Sequence, residues 1–235
     1  MERVLTFSGN HPIIIVCPHG ADDTHTDIIA ETCAQELNCF AVINKGFERA
    51  KEVNSLLDKA DCNRLDHVTD DEVVRIEYWD PFLKYVTNIL LAYKEPWIFH
   101  IHGFGELVEK RTKDYIDIIL GYGEHPNRPS YTCSLRRRDQ FIYNYRDLNG
   151  TGDVYVGKGG GRYAAHNSNN INQFFRKHMK EPTIESMQIE ITRRIRQTPF
   201  DANITGKMLA KTIARMFSNY HNFYNSSTVI NYKEI

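Results

Sequence analysis

The run PIIIVCP at residues 12–18 constrains the fold of this chain more than any other feature. It is an unbroken apolar and largely β-branched segment that Pro18 closes. A strand without polar alternation is buried on both faces, which predicts a central position in a parallel or mixed sheet. A helical pattern follows at 25–38, and a second short strand follows at 39–43. This order of strand, helix and strand indicates a right-handed crossover unit and therefore an α/β fold.

Later segments extend the same α/β pattern. Short apolar or alternating runs predict further strands at 97–101, 115–120 and 186–191. Apolar residues at helical spacing predict helices over 68–94 and 204–217, and Pro81 is expected to break or kink the first of them. We expect one domain over residues 1–235, with a central mixed, mostly parallel sheet flanked by helices.

Two stretches of the chain lack a clear periodic pattern. Residues 121–170 are rich in Gly, Asn, Arg and Tyr, which predicts an irregular insertion of the kind that contacts substrate. Residues 219–235 are polar and rich in asparagine, which predicts a tail that is ordered in part at best.

Charge and cysteine content narrow the class of protein. Lys and Arg number 29 against 30 Asp and Glu, and the resulting net charge of −1 argues against nucleic acid as a partner. No apolar run approaches the roughly 20 residues that span a bilayer, and no secretory signal is visible, so we expect a cytoplasmic protein without a membrane partner. The 5 cysteines are odd in number, which favours free thiols. The oligomeric state is left open.

The segment CPHGADD at 17–23 is the first candidate for chemistry. His19 comes directly after a buried strand, and Asp22 and Asp23 follow it three and four residues later. Ligands of doubly wound sheets gather at the carboxyl ends of strands. A turn at Gly20 would let an imidazole and a carboxylate bind one metal ion. The alternative is that His19 is a turn residue and the two aspartates cap the next helix.

The segment FHIHGFG at 99–105 repeats this arrangement after another buried strand. Strand alternation puts His100 and His102 on one face. A catalytic zinc site commonly takes a ligand from a separate element, and His102 at the strand end suits that role. His100 would then support the ligands or contact the substrate. The alternative is a pair of ordinary polar residues at a strand end.

The segment ADCNRLDH at 60–67 presents Asn63 and Arg64 in a polar loop. A guanidinium makes two parallel charge-assisted hydrogen bonds to a carboxylate, so this pair is suited to an anionic substrate group. The alternative is a solvated loop held by ion pairs.

The segment ESMQIEITRRIR at 185–196 places Glu190 among apolar neighbours. A buried glutamate has a partner or a chemical task, and beside a catalytic metal it is the expected general base for hydrolysis. Alternation puts Gln188, Glu190, Thr192 and Arg194 on one face, where Arg194 could hold an anionic group. The alternative is an edge strand with a surface pair between Glu190 and Arg194.

In this order the four segments resemble the zinc carboxypeptidase-like superfamily, and more closely the N-formylglutamate amidohydrolase-like family. The matching segments are PHGA at 18–21, DCNR at 61–64, HIHG at 100–103 and QIEITRR at 188–194. The likeness covers roughly residues 10–215. It implies a single-domain zinc-peptidase-like fold.

The resemblance also implies roles for individual residues. Zinc would be held by three ligands, His19, Asp22 and His102. Glu190 would act as general base and then as proton donor to the leaving amine. A substrate carboxylate would be bound by Asn63 and Arg64, with help from Arg194. The family has glutamate where Asp22 stands, which leaves Asp23 as the alternative ligand, and it has an acidic residue where His100 stands.

The function expected on this basis is zinc-dependent hydrolysis of the amide bond of an N-acyl amino acid, with an N-formylglutamate-like substrate. One alternative is a carboxypeptidase-like hydrolase of a peptide or of poly-γ-glutamate. Another is a binding module that keeps the fold and has lost turnover.

Overall fold

A mixed sheet of seven strands forms the centre of the fold. In the computed structural model the described residues are 2–49, 59–92, 95–105, 115–149, 153–157, 161–176 and 184–218. The strands are β1 (Val4–Phe7), β2 (His11–Cys17), β3 (Cys39–Asn44), β4 (Trp97–Phe104), β5 (Ile116–Gly121), β6 (Asp153–Val156) and β7 (Glu185–Thr192). Their order across the sheet is β1-β3-β2-β4-β7-β5-β6. The four central strands β3, β2, β4 and β7 are mutually parallel, which confirms the predicted α/β fold with a mostly parallel sheet.

Helices cover both faces of this sheet. They are α1 (Thr26–Leu37), α2 (Leu65–Asp70), α3 (Glu72–Val74), α4 (Asp80–Ala92), α5 (Leu135–Asn149) and α6 (Pro199–Ser218). Helices α1, α5 and α6 contribute to the apolar core on one face, and α4 contributes to a second core on the other face. Helices α1 and α6 approach closely at Gly206, where a Cβ atom would lie 2.7 Å from Cβ of Thr32.

The helix that contains Pro81 differs from its prediction. Pro81 is the second residue of α4 and does not break the helix. A π-helical turn, Arg75–Trp79, lies directly before α4 and joins it to α3. π-Helical turns are rare and occur mostly as single turns within helical segments, where they can bend the helix. The irregularity near the start of this segment is therefore a change of helical pitch before Pro81, in the turn Arg75–Trp79.

The prediction of irregular structure over 121–170 is wrong for α5 and β6. Helix α5 is mostly polar and buries a narrow stripe at a spacing of four residues, formed by Arg137, Phe141 and Tyr145. The Arg137 guanidinium stacks over the Trp97 ring at 3.9 Å. Such a stripe gives a weak apolar signal because one of its members is charged. Strand β1 was also missed, since it has only four residues.

The register between β4 and β7 positions the polar side chains named above. His102 lies beside Glu190, and His100 lies beside Gln188. The residues between them, such as Ile101 and Ile189, point to the opposite face and join its core. One face of this strand pair is therefore apolar and the other polar, and both are buried.

Two predictions from composition, on the cysteines and on membrane-spanning segments, can be compared with the structure. All five cysteines are free and buried, as expected. Among the described residues no helix is both long enough and apolar enough to cross a bilayer. The predicted tail at 219–235 lies outside the described residues.

Candidate active site

Three side chains converge at the carboxyl ends of β2 and β4. His19, Asp23 and His102 each offer one atom suited to metal binding, and these atoms all lie within 4.8 Å of one another. The Nδ1 atoms of His19 and His102 are 3.1 Å apart, and Nδ1 of His19 is 3.5 Å from Oδ2 of Asp23. His19 and His102 are both buried. We call these three residues the metal-ligand cluster.

The turn after β2 explains why Asp23 belongs to the cluster. The backbone N–H groups of Asp22 and Asp23 both donate to the carbonyl of His19, so residues 19–23 form one helical turn. A spacing of four residues brings Asp23 beside His19. Glycine at position 20 permits this turn, because a Cβ atom there would lie 2.2 Å from the carbonyl oxygen of Asn44.

The carboxylate of Asp22 is directed elsewhere. It accepts hydrogen bonds from the backbone N–H of Arg49 at 3.0 Å and from its Nε at 3.0 Å. Asp23 accepts from the backbone N–H of Gly103 at 3.0 Å through Oδ2, and its other oxygen pairs with the Arg49 guanidinium at 2.7 Å. The resemblance of the sequence motifs implied Asp22 as the third ligand, with Asp23 as the alternative. The structure groups Asp23 with the two histidines and leaves Asp22 outside the cluster.

Asp61 orients the His19 ring through Nε2, the nitrogen that does not face His102 and Asp23. Its Oδ1 lies 2.8 Å from Nε2 of His19 and also accepts the backbone N–H of Asn63 at 3.0 Å. An imidazole with a carboxylate on its far nitrogen is a frequent arrangement for a metal ligand, because the carboxylate fixes the tautomer and the ring direction. Burial lowers the pKa of His19, but hydrogen bonds from its ring to the carboxylates of Asp23 and Asp61 outweigh burial, so the pKa is raised.

His102 completes the donor set. Burial lowers its pKa well below the usual value, so the ring is neutral, which is the form that binds metals. Its Nε2 is buried and has no hydrogen-bond partner among the described residues, while Nδ1 faces His19. Two imidazoles and one carboxylate, with Asp61 behind one of them, form a donor set that fits zinc.

Glu190 lies on β7 beside His102 and is 6% exposed. Its pKa is raised to about 7: burial is the largest cause, the nearby Asp23 adds to it, and a hydrogen bond from Gln188 opposes both. That bond runs from Nε2 of Gln188 to Oε1 of Glu190 at 2.5 Å, and Gln188 in turn accepts from Asn170. A carboxyl group with a pKa near neutrality is suited to both taking up and releasing a proton.

His100 belongs to a separate polar network under the site. Its Nε2 lies 3.1 Å from Oγ of Ser186, which donates to Asn172. Asn172 donates to Oγ1 of Thr132 at 3.0 Å. Burial lowers the pKa of His100 to about 3. The ring is therefore a neutral link between β4 and β7, and it is not part of the metal-ligand cluster.

Asn63 and Arg64 lie near the cluster because Asp61 precedes them in the same turn. The Arg64 side chain is 48% exposed and makes two hydrogen bonds to Asp66, at 3.0 and 2.5 Å. The side-chain oxygen of Asn63 is buried without a hydrogen-bond partner among the described residues. The structure thus places this pair in the turn that carries Asp61, with the Arg64 guanidinium paired to the Asp66 carboxylate.

Arg194 does not share the polar face of β7, so the alternation expected for this residue is wrong. The strand ends at Thr192, and residues Arg193–Ile195 form a 3-10 turn that rotates the side chain. The guanidinium pairs with Asp117 on β5 and lies 5.2 Å from the Tyr115 ring. The structure does not bring Arg194 to the metal-ligand cluster.

Sequence reasoning missed two arginines beside the cluster. Arg49 pairs with both Asp22 and Asp23, as described above. Arg196 is buried and donates three hydrogen bonds to backbone carbonyls. Nothing in the segment RRIR distinguishes Arg196 from its exposed neighbours, because the difference arises from the turn that follows β7.

No protein-family model and no curated protein matches this chain. Solved structures do match it over most of its length. An N-formylglutamate amidohydrolase from Ralstonia eutropha JMP134 is 15% identical with a TM-score of 0.61, and the match covers 94% of this chain and 100% of that one. A bacteriophage poly-gamma-glutamate hydrolase is 12% identical with a TM-score of 0.53, covering 94% and 90%.

A metallo-carboxypeptidase from Burkholderia cenocepacia is a third similar structure, 10% identical with a TM-score of 0.55, and the match covers 92% of this chain and 61% of that one. These three neighbours are hydrolases. At such identities the likeness establishes the fold. The chain therefore has the fold that amidohydrolases and carboxypeptidases of this kind share, as the resemblance of its sequence motifs predicted.

Proposed function

We propose that this protein is a zinc-dependent amidohydrolase that cleaves the amide bond of an N-acyl amino acid. One observation carries the proposal: His19, Asp23 and His102 converge at two strand ends, and Glu190 lies buried beside them on the neighbouring strand. The fold shared with hydrolases supports it.

The cluster residues would hold the metal. His19 would bind through Nδ1, because Asp61 occupies Nε2, and Asp23 would bind through the carboxylate that now faces His19. His102 supplies the second imidazole from β4. Zinc in such a site polarises a carbonyl group and lowers the pKa of water to about 7. The backbone N–H of Gly103 holds Asp23 in place.

Glu190 would move the proton. Gln188 occupies Oε1, whereas Oε2 has no hydrogen-bond partner among the described residues, so Oε2 is the proposed proton acceptor. Glu190 takes a proton from the attacking water and then gives it to the nitrogen of the leaving amine. A pKa of about 7 suits both transfers, because neither the charged nor the neutral form is strongly favoured near neutral pH.

Arg64, supported by Asn63, is the proposed binding group for a carboxylate of the substrate. The guanidinium already holds the Asp66 carboxylate through two nitrogen atoms, and its exposed side chain extends from the turn that carries Asp61. A substrate carboxylate of the same geometry would replace Asp66 there. This assignment requires a free carboxylate on the substrate, which an N-acyl amino acid such as an N-formylglutamate-like compound supplies. Arg194 is not part of the proposed carboxylate-binding group, because it pairs with Asp117.

A second candidate is hydrolysis of poly-γ-glutamate or a peptide. The likeness to the bacteriophage poly-gamma-glutamate hydrolase over 90% of that chain favours it, and so does the exposure of the Arg64 side chain. A panel of N-acyl amino acids and γ-linked glutamate polymers, followed by assay of the released amine, separates the two substrate classes.

The test of the mechanism is Glu190→Gln in the zinc-loaded protein. The substitution keeps the size of the side chain and removes the proton acceptor, so we expect retained zinc and a loss of kcat of about 10²- to 10⁴-fold. Glu185→Gln is the matched control, since Glu185 is also a buried glutamate of β7 and bonds the backbone of Ser134.

The control variant should keep its kcat per folded molecule. A Glu190→Gln protein that is folded, zinc-loaded and as active as the wild type would refute the mechanism. A wild type that binds zinc and turns over none of the panel would favour a binding module with this fold.

A further inference from the structure

Arg196 lies among the three chain segments that carry the proposed site. The side chain is 4% exposed and follows the turn at the end of β7. Its Nε donates to the carbonyl of Ile191 at 3.1 Å, one terminal nitrogen donates to Phe104 at 3.0 Å, and the other donates to Thr24. One guanidinium thus binds the ends of β7 and β4 and the turn after β2.

Each of these three carbonyls is close in sequence to a residue of the site. Thr24 directly follows the ligand Asp23, and Ile191 directly follows Glu190. Phe104 comes two residues after His102. The distances between the ligands and the base therefore depend on backbone segments that the Arg196 guanidinium holds together.

The backbone around Gly103 is shaped to admit this guanidinium. A Cβ atom at position 103 would lie 2.4 Å from Nη2 of Arg196 and 2.6 Å from its Cζ. The N–H of the same glycine donates to Asp23. Glycine therefore lets the arginine pack against β4 at the point where β4 also contacts the ligand carboxylate.

The main chain of Arg196 adds a fourth connection. Its carbonyl oxygen lies 3.0 Å from Nδ1 of His25, in the turn after β2. His25 has a positive φ of 61°, which is uncommon for a residue other than glycine. This turn is thus held from both the side chain and the backbone of one residue.

Arg196 is also a buried positive charge near two carboxylates. Burial lowers its pKa, whereas the negative charges of Asp23 and Glu190 raise it. A buried cation without an anion is costly, so these carboxylates and the bound carbonyls stabilise the Arg196 guanidinium in its place.

We infer that Arg196 is a positioning residue that sets the spacing of the metal ligands and of Glu190 by tying together the strand ends on which they lie. The inference rests on the proposed function. Arg196 is not proposed to touch substrate or metal. A residue with a merely structural role would change stability and leave zinc affinity and kcat per folded molecule unaltered, and this difference defines the test.

The experiment measures zinc affinity by competition with a chelator, kcat and KM separately, and the thermal midpoint. Arg196→Gln should weaken zinc binding about 10- to 100-fold, as loss of groups that orient ligands usually does. It should also lower kcat while KM stays nearly unchanged, because Arg64 still binds the substrate carboxylate. Arg193→Gln is the matched control, since Arg193 is exposed and carries the same charge.

Two further variants separate charge from geometry. Arg196→Lys keeps the charge but lacks the planar fork that reaches three carbonyls, so we expect it not to restore zinc affinity. Gly103→Ala should displace the guanidinium and reproduce the effect of Arg196→Gln. The double variant should lose less than the sum of the two single losses, since both act on one contact.

Arg196→Gln with a lower thermal midpoint but wild-type zinc affinity and kcat would overturn the inference and leave the proposed function intact. If that variant is not recovered folded, zinc affinity and kcat are measured on Arg196→Lys and Gly103→Ala instead. Losses of both quantities support the inference, and wild-type values of both overturn it. A wild-type protein that neither binds zinc nor cleaves amides overturns the proposed function and this inference together.

Discussion

The two faces of the β4–β7 strand pair are equally buried, yet they differ in how their side chains are stabilised. On one face, Ile101 and Ile189 pack into a continuous apolar core with α1 and α6. On the other face, His102 and Glu190 lie side by side among polar groups. Burial stabilises the apolar residues directly. The polar residues lose water, and Nε2 of His102 has no replacement hydrogen bond within the described parts of the chain.

This difference indicates which face maintains the fold and which carries the residues of the proposed activity. A buried polar group without a partner is unfavourable for stability. A site of this kind is expected where a ligand supplies the missing interactions, and the His19–His102 pair offers such a place. Substitutions on the two faces should therefore act on different quantities.

The largest effect is expected on the apolar face. Ile189→Ala removes a fully buried side chain and leaves a cavity, which should lower the free energy of unfolding by about 2–5 kcal/mol. Urea denaturation measures this loss. The kcat per folded, zinc-loaded molecule should stay close to the wild-type value.

Glu190→Gln is the comparison variant for that experiment, because the residue is adjacent on β7 and faces the other way. It should show the opposite pattern, with a large loss of kcat and a small change in unfolding. If Ile189→Ala lowered kcat as much as Glu190→Gln does, the two faces would not have the separate roles described here.

A smaller effect is expected at Asp61, the residue that binds the far ring nitrogen of His19. Asp61→Asn keeps the shape of the side chain that bonds Nε2 of His19 but removes its charge. Zinc affinity should fall about 10- to 100-fold, measured by competition with a chelator. Asp70→Asn is the control, since Asp70 is exposed in the neighbouring helix α2. Equal zinc affinity in the Asp61 variant and the wild type would remove Asp61 from its orienting role.

The smallest of these effects is expected at Arg64, whose side chain is exposed. Arg64→Lys replaces a planar fork by a single ammonium group, so kcat/KM for a free-acid substrate should fall about five- to thirtyfold. A substrate whose carboxylate is capped as an amide should be poor for the wild type and no worse for the variant.

Arg75→Lys is the matched control for that change, because Arg75 is also exposed and paired with an aspartate, Asp80. Equal rates of the wild type on the acid and the capped substrate would exclude Arg64 from substrate binding.

The parts of the fold that the sequence predicts are those with strong apolar patterns. The run that forms β2 is continuous and apolar, and the start of β4 is apolar apart from His100, so the buried place of both strands in the sheet follows from these patterns. Helix α5 could not be recognised in this way, because Arg137 occupies a core position by stacking on Trp97. Its burial depends on a partner that is distant in sequence.

The same limit applies to the candidate site. The residue types around His19 and Glu190 indicate a metal and a base, but the choice between Asp22 and Asp23 depends on the turn geometry after β2 and on Arg49. Strand alternation also stops where β7 ends, so it gives no information about Arg194. Local patterns identify the chemistry, and tertiary contacts select the residues that perform it.

Zinc content is the most direct test of the central claim that His19, Asp23 and His102 hold the metal. The measurement is the zinc-to-protein ratio of the wild type, Asp22→Asn and Asp23→Asn after equal loading and removal of free metal. We predict about one zinc per chain in the wild type and in Asp22→Asn, and little in Asp23→Asn, because two remaining ligands bind the ion weakly. Full occupancy in Asp23→Asn, or none in the wild type, would contradict the account.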